Sequence, residues 1–359
     1  MFKIYQTYIV KKFMVKFFYI FLFFFFLSII LGILEELSFF KEANTHILFP
    51  YFLTILNTPI TLFEIFPFIL LLSTQFFFYD IFKNDELDLL KKNGQKNTAI
   101  IKLLFLISFF IGLFNVIFYY NFAAQLKFHY THIKNGLSND NKYLAVVNES
   151  GVWIKDEIDN KILIIKSKKK EGAILIDTVI NEFDKEFNLT KIIQSKRIDI
   201  ENKEWILYSH NIIEENITKK FSSSAKFKTN FNEKTINSLF SNLSTLNIIS
   251  LYKLKKNYKN LGYSETEITI YLYKLFVTPI FYGIIIILSS IIMFKFTKNK
   301  PLIFNIFTGI VLSVLIYYMN FIINSLGING KISITMSVFF PILIIFLISL
   351  IGMTRVNEK

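Results

Sequence analysis

The residues able to do chemistry in this chain are few and far apart. Cysteine is absent, which removes thiolate nucleophiles, disulfides and cysteine metal sites together. Of the four histidines, His129 and His132 stand three apart on one helical face, while His46 and His210 are isolated. A structural zinc site needs about four ligands, and no companions lie near the pair, so solvated polar residues are the simpler reading. The nearest Gly-Lys pairing, Asn93-Gly-Gln-Lys96, lacks the leading glycine and the Ser or Thr that a phosphate loop uses to hold magnesium. No nucleophile with an adjacent base can be read, and the pattern calls for no cofactor. One acid stands apart: Glu64 lies between Pro59 and Pro67 in an otherwise uncharged stretch. A carboxylate at membrane depth is a functional candidate, but one acid with no base deep in any apolar run makes a poor proton relay. A different kind of surface is offered by Asp85-Glu-Leu-Asp-Leu-Leu-Lys-Lys-Asn-Gly94. Acids first, bases last and a closing glycine are the order that a short helix favours.

The elements that must carry these residues follow from composition. Of 359 residues, 53% are hydrophobic and 18% aromatic, with 43 Phe, and only 19% are charged. A soluble domain carries about 25% charge, so the chain is an integral membrane protein with one sizeable water-soluble part. A bilayer crossing needs about 20 mostly apolar residues. Six runs qualify, at 17–34, 58–79, 103–126, 275–294, 301–330 and 332–354. The fifth is longer than one crossing and ends in turn material from Asn324 to Gly330.

Lys and Arg distribution sets the expected orientation. One set of span ends holds fourteen basic residues, whereas the opposite short loops hold Lys41 and Lys331. Both termini and the loop at about 83–99 are therefore expected in the cytoplasm. The insert at 123–271, between helices 1–3 (1–122) and helices 4–6 (272–359), is expected outside. This asymmetry, with a composition rich in Lys, Asn, Ile and Phe, accounts for the net charge of +13 without nucleic acid.

Within the insert, period-two alternation recurs from about 143 to 231, in bursts such as Tyr143-Leu-Ala-Val-Val147, Lys161-Ile-Leu-Ile-Ile165 and Glu204-Trp-Ile-Leu-Tyr208. Turn signals such as Lys170-Glu-Gly172 separate them. The spacing predicts an all-β domain, a sandwich or jelly roll. Residues 239–261 read as a helix closed by Gly262. The fold class is thus α-helical membrane protein, six helices as three plus three, with an inserted jelly-roll-like domain.

With so little polar chemistry, an apolar path is what remains. Phe21, Phe24, Phe25 and Leu31 of the first span, Tyr317 of the fifth and Trp153 of the insert are its candidate lining, with Lys41 the nearest cation for a head group. A ring-lined interior suits acyl chains better than sugars or ions. The cytoplasmic segments are too short to fold an ATPase, so any ATP must be hydrolysed on another chain. Force would then enter through the 83–99 loop. Asp85, Glu86, Leu87, Leu90 and Gly94 are its candidate coupling residues, with Leu87 and Leu90 as anchors and Glu86 as a charge partner.

The layout resembles the lipopolysaccharide-export permeases, the family containing LptF and LptG, over almost the whole chain. Gly151-Val-Trp-Ile-Lys-Asp156 before Lys161-Ile-Leu-Ile-Ile165 is similar to the family's opening β-motif. Further likenesses are the Pro59 and Pro67 pair, the helix ending at Gly94, and Tyr258-Lys-Asn-Leu-Gly262 with Tyr273-Lys-Leu and Pro279. The Gly-x-Trp run and the approach to span four look more like LptG than LptF. The outer half of span one departs from a lipid-phosphate site in having no Lys or Arg.

The resemblance implies a bacterial inner-membrane, non-catalytic subunit paired with a second, LptF-like permease and driven by a cytoplasmic LptB-like ATPase dimer. Lipopolysaccharide would pass from the outer leaflet to LptC- and LptA-like periplasmic bridge proteins. A membrane scaffold with an external β-domain and a secondary transporter of a small amphiphile are the alternatives that the residues leave open.

Overall fold

Charge-free runs become helices longer than the hydrocarbon they must cross. The structure is a computed structural model that describes residues 4–40, 48–137, 152–158, 161–214, 217–233, 236, 242–260, 264–295 and 302–357. Helices α1 (Ile4–Phe39), α2 (Phe49–Lys83), α3 (Glu86–Lys92) and α4 (Asn97–Phe114) lead into a π-helical turn, Asn115–Tyr119, and then α5 (Tyr120–Leu137). After the β-strands come α6 (Ile248–Asn260), α7 (Thr266–Lys295), α8 (Leu302–Ile328) and α9 (Ile334–Asn357). Six helical stretches among the described residues are long and apolar enough to cross a membrane, three before the strands and three after. At about 1.5 Å per residue, the 36 residues of α1 and 35 of α2 exceed a crossing, so both ends of each reach past the apolar layer.

Pro59 and Pro67 both sit inside α2. Each removes a backbone donor, yet the helix persists because lipid offers the backbone no alternative partner. Threonine hydroxyls reinforce the first half, with Thr54 donating to the Pro50 carbonyl at 2.9 Å and Thr58 to the Thr54 carbonyl at 2.7 Å.

The chain divides into two compact units, Met1–Lys127 with Thr266–Lys359, and Phe128–Glu265. In the first, α7 is the hub. Along its apolar stretch 72% of the residues are buried, against 6% for α1 and for α8. Small residues allow this closeness. A Cβ on Gly112 of α4 would meet the Pro279 backbone of α7 at 2.6 Å. Aromatic rings fill the seams, with Phe66 of α2 stacked on Tyr282 of α7 at 5.4 Å.

The second unit holds seven strands, β1 (Val152–Ile158), β2 (Lys161–Glu171), β3 (Ile174–Phe183), β4 (Leu189–Asp199), β5 (Glu204–Glu214), β6 (Ile217–Phe221) and β7 (Ala225–Lys228). The inserted β-domain is as expected, but its described strands form one antiparallel sheet in chain order rather than a cross-connected sandwich. Neighbours pair from β1 to β6, and β7 pairs with β5. Alternation in β2 buries Leu163 and Ile165, and the pairing sets Ile180 of β3 opposite Ile165 in the same buried layer. The sheet is closed by side chains: buried Asp156 on β1 accepts from Thr229 Oγ1 at 2.7 Å and from the Asn230 amide at 2.9 Å. Trp205, fully buried, donates from Nε1 to the Phe231 carbonyl at 2.9 Å. The 143–147 burst, Gly151 and Gly262 lie outside the described residues; of the predicted 239–261 helix, Ile248–Asn260 is α6, whereas Leu243–Thr245 is a short 3-10 turn followed by extended Leu246.

Candidate functional site

Three features of the helical unit carry polar or ligand-sized chemistry. The first is α3. Its end is fixed by Gly94, whose φ of +76° is open to glycine at little cost. The Gly94 amide donates to the Lys91 carbonyl at 2.9 Å and the Gln95 amide to the Leu90 carbonyl at 3.0 Å, the paired bonds of a Schellman motif. Leu87 and Leu90 are buried in the chain's own core with Phe13, Phe77 and Ile81, while Leu89 is 58% exposed. Asp85 and Asp88 are exposed beside it. Glu86 turns inward: Lys12 Nζ lies 2.5 Å from its Oε2 and the Tyr8 hydroxyl donates to the same oxygen at 2.7 Å. Burial works against the Glu86 carboxylate, but hydrogen bonds from Lys12 and Tyr8 outweigh it and hold the carboxyl below its ordinary value. A second pair, Lys16 with Asp80 at 2.5 Å, ties α1 to the last turn of α2. The five candidate coupling residues are therefore together on one loop: Glu86, Leu87 and Leu90 turn into this chain, Asp85 faces outward and Gly94 ends the helix.

The second feature is an apolar groove of about 560 Å³ lined by Met14, Phe17 and Phe21 of α1, Phe66 of α2, and Phe110 and Phe114 of α4. Phe21 is the one candidate of the apolar path on its wall. Phe24 and Phe25 pack partly buried against the core, and Leu31 is exposed. Trp153 is half exposed on β1 with Lys166 Nζ 4.7 Å from its ring centroid. Lys41 lies outside the described residues.

The third feature is a cavity of about 390 Å³ bordered by α2, α7, α8 and α9, whose wall includes Glu64, Lys274, Asn320, Asn324 and Tyr317. Glu64 thus has basic company that the sequence reading did not assign. Lys127 of α5 lies close enough to act on it electrostatically, and Lys274 shares its cavity. Both lysines border the predicted spans, and helical continuation past the span ends brings them alongside the acid. Prolines in both facing helices were the available signal. Pro67 cannot donate to the Phe63 carbonyl, nor Pro279 to that of Leu275, and Phe63 and Leu275 both line the cavity. Among the described residues no group of three or more His, Cys, Asp or Glu could hold a metal ion. His129 and His132 flank the Phe128 ring.

Six apolar helices of spanning length among the described residues, with a β-domain inserted between the third and fourth, define a multi-pass membrane protein. The sequence matches the family model of the lipopolysaccharide export system permeases LptF/LptG over residues 7–355. The chain belongs to that family, whose members are transport components rather than catalysts. No curated protein is a match to the chain.

Proposed function

We propose that this chain is the LptG-like permease subunit of an ATP-driven exporter. In this reading it lies in the bacterial inner membrane with both termini and α3 in the cytoplasm and the β-domain in the periplasm. An LptF-like subunit completes the transmembrane cavity and an LptB-like ATPase dimer drives it. Lipopolysaccharide enters from the outer leaflet and leaves through the β-domain to LptC- and LptA-like bridge proteins.

The observation that carries the reading is the seating of α3. A helix of seven residues has no stability of its own, so its order comes from Leu87, Leu90 and the Glu86 bonds to α1. Its outer face, with Asp85, Asp88 and Leu89, is left for the ATPase, while the inner face hands any displacement to α1 and α2. An ATPase stroke becomes a movement of the spans only if the helix is locked to them in this way. The cargo side is supported by Phe21 on the wall of the apolar groove and by the exposed Leu31 of α1 and Tyr317 of α8, while Phe24 and Phe25 pack behind them. In the β-domain, half-exposed Trp153 offers a ring to the same cargo.

The test is reconstitution of the chain with its paired permease and ATPase in proteoliposomes loaded with lipopolysaccharide. Transfer to a soluble bridge protein should require ATP. Transfer that proceeds without the ATPase, or an ATPase that never co-purifies, would leave the scaffold or secondary-transporter reading in its place.

A further inference from the structure

The cavity that holds Glu64 is too small for the proposed cargo and too charged for an acyl chain. A volume of about 390 Å³ matches sites for single small ligands, which occupy about 300–1,000 Å³; a multi-chain lipid A does not fit. Its walls carry one carboxylate, Glu64, and one ammonium, Lys274, both accessible. Asn324 is only 8% exposed and its Oδ1 has no hydrogen-bond partner among the described residues, while its Nδ2 donates to the Asn320 carbonyl at 2.5 Å. An orphaned buried acceptor in an apolar setting is a costly feature unless a ligand donor meets it. The missing Pro67 and Pro279 donors add two acceptor carbonyls on cavity-lining residues.

Lys127 acts on Glu64 and Glu267 on Lys274 from outside the lining, so within the cavity a ligand of one charge meets only one of the two groups. A ligand that carries both an amine and a phosphate satisfies both. The cavity lies toward the end of the bundle where α2, α7 and α9 begin and α8 ends. From there Tyr317 and Phe321, 66% and 63% exposed, continue outward along α8 as an apolar runway. We propose that this cavity binds the head group of a zwitterionic aminophospholipid, Glu64 and Asn324 accepting from its ammonium and Lys274 donating to its phosphate, with the acyl chains running out over Tyr317. The proposal does not rest on the export reading.

Full-length protein is equilibrated in vesicles of equal parts phosphatidylethanolamine, phosphatidylglycerol and phosphatidylcholine, and retained lipid is read by native mass spectrometry. Phosphatidylethanolamine should be retained preferentially, because its ammonium keeps donors that the choline head lacks. Glu64→Gln should cut that retention roughly tenfold and leave phosphatidylglycerol unchanged. Lys274→Gln should lower retention of all three lipids, because each carries the phosphate. If Glu64→Gln fails to fold, Glu64→Asp, which keeps the charge and shortens its reach, decides by the same amine-selective loss. Equal retention of the three lipids by the unmodified protein, a Glu64 variant that does not discriminate among them, or a Lys274→Gln variant that retains all three in full overturns the proposal. Lipopolysaccharide added to the vesicles should leave phosphatidylethanolamine in place. One-for-one displacement assigns the cavity to the cargo and also overturns it.

Discussion

Glu86 shows how one carboxylate can set the attachment of an element. Its partners, Lys12 and Tyr8, are on α1, so the charge holds α3 against the first span. A folded-state value below the ordinary one means that the contribution is complete above the ordinary carboxylate range and is lost as pH falls through the lowered value. A partly exposed pair contributes about 0.2–1 kcal/mol. Wild type should therefore lose melting temperature on acidification, and Glu86→Gln should begin lower and lose less. Parallel pH profiles for the two would remove Glu86 from this role. Glu64 shows the limit of sequence reading at this scale. Its oddity was legible as an acid between two prolines in an uncharged run, but its neighbours were not. Lys127 and Lys274 sit at span borders, where a lysine usually snorkels to water, and only the packing of α5 and α7 places them near the acid.

At the scale of elements, α3 was legible from its acids, bases and Gly94, because terminal chemistry is local. The direction of its apolar side chains was not. Leu87 and Leu90 at helical spacing define a face, and nothing in the spacing says whether the core or a partner covers it. Burial in the core gives a sharper expectation for each. Leu90→Asp buries an unpaired charge and should lower the melting temperature as well as ATPase co-purification, whereas Leu89→Asp should reduce co-purification alone. If Leu89→Asp keeps the ATPase fully bound, the outer face is not where it docks. Gly94→Ala forces a left-handed conformation costing about 1 kcal/mol and should weaken ATPase retention without altering the β-domain. The strands were legible from their alternation, but their connection was not, since period two reports which face is buried and not which strand is next. Expressed alone, residues 143–231 should be soluble with a β-type circular dichroism spectrum. In the whole chain, Trp205→Phe should cost the β-domain about 1–3 kcal/mol by orphaning the Phe231 carbonyl. A spectrum dominated by helix, or a Trp205→Phe domain of unchanged stability, would contradict the assignment.

For the whole molecule, orientation can be measured directly because the chain contains no cysteine. A single Cys replacing Asn93, beside the α3 terminus, should be protected from impermeant reagents in intact cells and become reactive once the inner membrane is opened. Reaction in intact cells would invert the topology. The six crossings were legible because runs without charge are the strongest signal a membrane chain carries. The burial of α7 was not, since its composition is no more apolar than that of α1. That burial has a consequence in time. The helix needing the most protein neighbours emerges from the ribosome only after the whole β-domain, so α1, α2 and α4 must wait in lipid with their inner seams open. At about 5–20 residues per second, the delay is roughly ten seconds, long enough for quality-control proteases or insertion factors to meet exposed prolines and unpaired polar groups. A side chain at Gly112, whose Cβ would meet the Pro279 backbone at 2.6 Å, would obstruct the docking of α7 and so lengthen that wait.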